Sequence, residues 1–109
     1  MREFRINNEK VVISEADLEG IRRAVIERLA SEDSEPNRFM KRELEGAIAV
    51  IGPEDSRLGR WELTVRDGRL TLVRVPPRDA VNLLFVAVLA KESARWIVKE
   101  FSEERMRSQ

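Results

Sequence analysis

Apolar and polar residues alternate along two short runs of the chain, Trp61, Leu63 and Val65 in the first and Leu70 and Leu72 in the second, on either side of Asp67-Gly68. Strict alternation is the signature of a strand half-buried on one face, and Asp-Gly tolerates the two positive-φ positions of a type I′ turn. The pattern predicts a β-hairpin over 60–75. A two-residue turn sets its register: Arg66 faces Arg69, Val65 faces Leu70, Thr64 faces Thr71, Leu63 faces Leu72 and Trp61 faces Arg74. Trp61, Leu63, Val65, Leu70 and Leu72 then share the core face. Arg60, Glu62, Thr64, Arg66, Arg69 and Thr71 share the reverse face, which turns apolar at Val73 and Val75. A hairpin is marginal alone, so helices or further strands must cover the core face.

Elsewhere the period changes. Leu18, Ile21, Val25 and Leu29 recur at helical spacing behind Ser14, an N-cap residue, with Asp17 in the capping-box position and Ile13 and Leu18 placed to staple the first turn. This predicts a helix over 15–30. Gly20 inside it costs about 1 kcal/mol relative to Ala, which suggests that another backbone passes close. Before it, Phe4 to Ile6 and Lys10 to Ile13 flank Asn7-Asn8, the pattern of a short second hairpin. Residues 31–37, with Pro36, read as a loop. Asn37 then caps a predicted second helix that turns Phe39 or Met40, Leu44, Ala47, Ile48 and Ile51 inward and stops at Gly52-Pro53. Residues 81–90 are apolar on both sides and rich in β-branched residues, as a buried central strand would be. Pro76-Pro77 separates them from the hairpin. After Lys91, the spacing of Ala94, Ile97, Val98 and Phe101 predicts a closing helix, with a strand from Ala94 to Ser102 as the alternative because Trp96 and Val98 would then share a face.

These elements predict one α+β domain spanning 1–109: an antiparallel sheet built on the 60–75 hairpin, with helices packed on one face. If 38–51 were a strand instead, one main helix would lie on a longer meander, resembling a cystatin-like roll in outline.

Composition narrows the function classes. There is no cysteine, histidine or tyrosine. That removes disulfides, thiolate chemistry, the usual zinc ligands and the commonest general base together. No Gly-rich phosphate loop or Gly-x-Ser-x-Gly turn occurs. Glu15 with Glu19, and Glu100 with Glu104, stand four apart, but neither pair has a third acidic neighbour to complete a cation site. The expectation is a non-catalytic protein with no metal and no cofactor. The longest apolar run, Leu83 to Ala90, is far shorter than the about 20 residues of a membrane helix, and Glu3 interrupts any secretory leader, so a soluble cytoplasmic protein without a membrane partner is predicted.

Twenty basic and 20 acidic side chains cancel, so any charged partner must be recognised locally. Residues 1–56 carry 9 basic and 13 acidic groups and residues 57–109 carry 11 and 7. The halves, at −4 and +4, can neutralise one another within one fold. Between 57 and 78, six arginines stand against Glu62 and Asp67. Arg60, Arg66 and Arg69 on one hairpin face could bind an anion or nucleic acid, although no aromatic side chain is interleaved there for base stacking. Arg74, opposite Trp61, is placed to stack on its ring. Trp96 beside Val73 and Val75 could form an apolar patch for a protein partner or a second copy. Of these functions, protein–protein interaction or self-association is favoured. The alternatives are anion or nucleic-acid binding, and an enclosed small-ligand pocket.

Overall fold

The computed structural model describes residues 2–6, 8–46, 60–76 and 83–105. At the N-terminus β1 (Arg2–Ile6) pairs antiparallel with β2 (Glu9–Ile13), and Asn8 adopts φ 65°, a left-handed conformation that asparagine tolerates. Phe4 and Ile6 point into the core.

Helix α1 (Glu15–Ala30) begins where the capping signals place it: Ser14 Oγ accepts from the Asp17 backbone N–H at 3.0 Å. Its predicted stripe of Leu18, Ile21, Val25 and Leu29 is buried together with Ala24. Each such aliphatic side chain removed from water contributes about 1.5–3 kcal/mol. Helix α2 (Glu35–Glu45) starts earlier than the sequence suggests. Its cap is Ser34, whose Oγ accepts from the Asn37 N–H at 3.2 Å, and Pro36 lies in the first turn rather than in a loop. Proline suits that position because its missing N–H would have no helical partner there. Asn37, displaced from the cap, is buried and donates through Nδ2 to the Leu29 and Glu32 carbonyls. Met40 and Leu44 face inward and Phe39 is 47 % exposed. The helix gives way at Gly46, and the rest of the predicted inward set, Ala47, Ile48 and Ile51, lies outside the described residues.

The main sheet is a four-stranded antiparallel meander, β3 (Arg60–Arg66), β4 (Arg69–Val75), β5 (Leu83–Glu92) and β6 (Arg95–Arg105), in sequence order. The β3–β4 register is the one that the Asp67-Gly68 turn implies, with φ of 53° and 74° at the two turn residues. Leu63 and Leu72 are 3 % and 0 % exposed, so the apolar side of this hairpin is the inner one. The core joins Phe4 and Ile6, the stripe of α1, Met40 and Leu44 to Trp61, Leu63, Leu72, Phe85, Ala87 and Leu89. Both helices and the N-terminal hairpin therefore contribute to a core on the sheet's inner face. This is an α+β fold with helices against one side of an antiparallel sheet.

The predicted closing helix is replaced by β6. Ser93 and Ala94 turn the chain at φ 51° and 62°, dihedrals that neither residue favours, so the sequence did not advertise the turn. A β-bulge then disguises the strand. Val88 pairs with Glu100 and Leu89 with Val98, which leaves Lys99 without an opposite number. The extra residue brings Phe101 onto the same face as Trp96 and Val98, so Val98 and Phe101 stand three apart as on a helix, while Ile97 of the predicted stripe faces the other side.

Candidate functional site

Val73, Val75, Arg60, Arg66 and Arg69 all lie on the outer face of the sheet, away from the helices. Trp96, predicted beside the two valines, does not. It pairs with Lys91 on the inner face, so the proposed patch of Val73, Val75 and Trp96 is not contiguous. Its apolar members are instead continued by β5. Val73 stands opposite Val86 and Thr71 opposite Val88, and Leu84, Ala90 and Ile97 belong to the same side by alternation and register. Val73, Val86 and Thr71 are 7 %, 3 % and 1 % exposed, while Val75, Leu84, Val88, Ala90 and Ile97 around them remain half-buried. None of these eight belongs to the inner core cluster.

Ion pairs arch over this floor. Arg69 Nη2 meets Glu100 Oε2 at 3.0 Å and Arg66 Nη2 meets Glu104 Oε1 at 2.8 Å, while Arg60 pairs with Glu62 at 3.4 Å. The acids come from β6 and β3. Glu104 also lifts the Arg66 guanidinium above its ordinary range through their hydrogen bond. The Arg66–Glu104 pair reports the shape of the sheet. By register the two residues are six positions apart along the strands and three strands apart across them, roughly 20 Å by about 14 Å in a flat sheet. That exceeds the combined reach of the side chains. The sheet must coil so that this diagonal closes, making the outer face concave between the β3–β4 turn and the end of β6.

On the inner face Trp96 is the centre of a clasp. Its Nε1 donates to Asp17 Oδ1 at 3.0 Å, Lys91 Nζ meets the same oxygen at 3.0 Å, and the ammonium lies 5.7 Å from the indole centroid. The Trp96 hydrogen bond, then that of Lys91, holds the Asp17 carboxyl below its ordinary range. Gly20 makes room for the ring: a Cβ there would stand 2.7 Å from Trp96 Cδ1. The close neighbour expected at Gly20 is thus an indole and not a backbone. Arg95 Nη2 adds an ion pair to Glu27 at 3.0 Å. These contacts anchor the tip of the β5–β6 hairpin on α1 and hold Ser93 and Ala94 in their strained dihedrals. An open groove of about 490 Å³ runs beside them, floored by Ala16, Gly20 and Ala24. Its charged members are already paired, Asp17 with Lys91, Glu27 with Arg95, and Arg23 with Glu19.

At the opposite end of the core, Glu43 of α2 receives two sheet residues at once. Arg74 donates to it through Nε and Nη2 at 2.7 and 3.1 Å, and Trp61 Nε1 donates at 3.3 Å. Arg74 stacks on Phe39, 5.4 Å from the ring centroid, and not on Trp61 as the register suggests. Glu43 drew no notice in the sequence because nothing marks one glutamate among several on α2. Glu43–Arg74, Asp17–Lys91 and Glu27–Arg95 each join an acid of the first half to a base of the second. The charge asymmetry between the halves is neutralised in part by these contacts.

The carboxylate pairs do not gather into a cation cage. Glu15 pairs with Arg2, and Glu19 with Arg22 and Arg23, whose hydrogen bonds lower the Glu19 pKa to about 2. Among the described residues no three acidic side chains converge as a metal site requires, and no helix is long and apolar enough to cross a membrane. No family model, curated protein or solved structure matches this chain.

Proposed function

We propose that the chain is a non-catalytic interaction domain that docks a protein partner on the outer face of its sheet. The observation that carries this reading is β5. Its apolar run from Leu83 to Ala90 has the composition of a strand buried on both sides, yet the core formed with the helices takes up only one of them. Val75, Leu84, Val88 and Ala90 keep enough exposure to form the centre of an interface, and the charged pairs around them supply a polar rim. The absence of histidine, cysteine and tyrosine favours binding over catalysis. The Arg-rich hairpin has less support as a polyanion site, because no aromatic side chain is interleaved among Arg60, Arg66 and Arg69 for base stacking and Glu62, Glu100 and Glu104 beside them repel a polyanion.

The test compares wild type with Leu84→Asp, a change confined to the outer face. Wild type is expected to engage a partner, either itself in sedimentation or another protein in affinity capture, and Leu84→Asp to lose it with an unchanged circular dichroism spectrum. Equal behaviour of the two proteins would overturn the docking reading.

A further inference from the structure

We infer that the partner is a second copy of this chain, seated face to face across a two-fold axis that runs along the strands between β4 and β5. The inference rests on the docking reading above and adds the identity of the occupant. Its basis is the way charge is divided across the outer face. The bases Arg60, Arg66 and Arg69 lie on the β3–β4 side, which stays net basic with Glu62 beside Arg60; the acids Glu100 and Glu104 lie on β6; the aliphatic floor lies between them. A surface with a basic margin, an apolar centre and an acidic margin is self-complementary under a two-fold rotation, which brings each margin over the opposite margin of its partner.

The register makes the contacts specific. The strand pairings place Arg60, Val75, Leu84 and Glu104 in one row across the four strands, continuing the alignment of Arg74 with Phe85. Rotation about the axis sets β4 on the partner's β5, so Val75 meets the partner's Leu84, Val73 the partner's Val86 and Thr71 the partner's Val88. It also sets β3 over the partner's β6, with Arg60 above the partner's Glu104 and Arg66 within side-chain reach of the partner's Glu100. Two sheets related in this way have the aligned packing of a β-sandwich, about 10 Å apart. In the single chain Arg66 and Arg69 close over the floor onto Glu104 and Glu100. In the dimer the same guanidinium and carboxylate groups exchange these internal partners for those of the second copy and uncover Val73 and Val86 for contact.

Sedimentation equilibrium with two charge-reversed chains tests the exchange. One carries Arg60→Glu with Arg66→Glu, the other Glu100→Arg with Glu104→Arg. Wild type is expected to dimerise, each variant alone to dimerise at least about tenfold more weakly, and an equimolar mixture to form a heterodimer as tight as wild type. Only pairing between chains restores the mixture, since within each variant the facing positions, 60 over 104 and 66 over 100, carry like charge. Should a variant fail to fold, the wild-type dimer provides a second measurement, and its dissociation constant should rise with added salt. A wild type that stays monomeric up to millimolar concentration, or a mixture that gains nothing over its components, overturns the inference. The docking reading is separable: a monomeric wild type that captures a different protein, lost with Leu84→Asp, refutes self-pairing and leaves the face a docking site. A monomer that captures nothing refutes both.

Discussion

The inner and outer faces of the sheet both carry arginine–glutamate pairs, and the two sets do different work because one is out of water and the other is not. Arg74 and Glu43 have side chains 8 % and 19 % exposed and join α2 to β4 through two hydrogen bonds. Arg66 with Glu104 and Arg69 with Glu100 have side chains between 39 % and 65 % exposed, and they connect strands of a single sheet. An exposed pair is screened and contributes at most about 1 kcal/mol, so it can be traded for another partner at little cost. A buried pair is different: removing one member strands the other charge, at a cost of about 3–5 kcal/mol. The inner pair is thereby committed to the fold, while the outer pairs remain available for recognition.

The widest gap between the faces is expected from deleting apolar side chains. Leu72, fully buried on the inner face, should lose about 2–5 kcal/mol of unfolding free energy as Leu72→Ala, against about 1 kcal/mol or less for Val88→Ala in the monomer. Urea denaturation measures both, and equal losses would mean that the outer face is as tightly packed as the inner. The charged pairs give the next contrast. Glu43→Gln should cost about 3 kcal/mol and depend little on salt, whereas Arg69→Ala should cost less than about 1 kcal/mol and fall toward zero at high ionic strength. Similar salt dependence for the two would place them in the same environment.

The smallest effect is expected from acid. Glu19 sits on a solvated side of α1, and its folded pKa of about 2 lies below the ordinary 4.5. Its contribution is fully present above pH 4.5 and is lost as the pH falls toward 2. Because its side chain is 41 % exposed, screening reduces the effect to about 0.3–0.5 kcal/mol for each pair with Arg22 and Arg23. Stability should be flat from pH 7 to 5 and then decline, and Glu19→Gln should remove that small part of the decline. An identical pH profile for the variant would discount the carboxylate.

Where the signal was local, the chain could be read directly. Asp67-Gly68 gave the turn and thus every pair of the β3–β4 hairpin, and Ser14 with the stripe of α1 gave that helix its start and its buried side. Where a signal depended on a distant partner, the reading failed. The bulge at Lys99 put Val98 and Phe101 three apart on one face, so that with Ala94 and Ile97 the strand looked helical, and the Ser93-Ala94 turn is held by contacts to α1 from the far end of the chain. Of the outer face, the sequence offered Val73, Val75 and the arginines, but Trp96 went to the other side and the acids that meet Arg66 and Arg69 came from β6.

By itself the sequence determined which residues are apolar, that Asp67-Gly68 turns the chain, and which side of α1 and of the β3–β4 hairpin faces inward, since these depend on neighbours a few positions apart. Only the tertiary structure decided that Gly20 receives an indole, that Glu43 joins Arg74 to Trp61, and that the sheet coils until Arg66 reaches Glu104. Those outcomes depend on the twist accumulated over four strands and on which helix lies across them, and no local pattern encodes either.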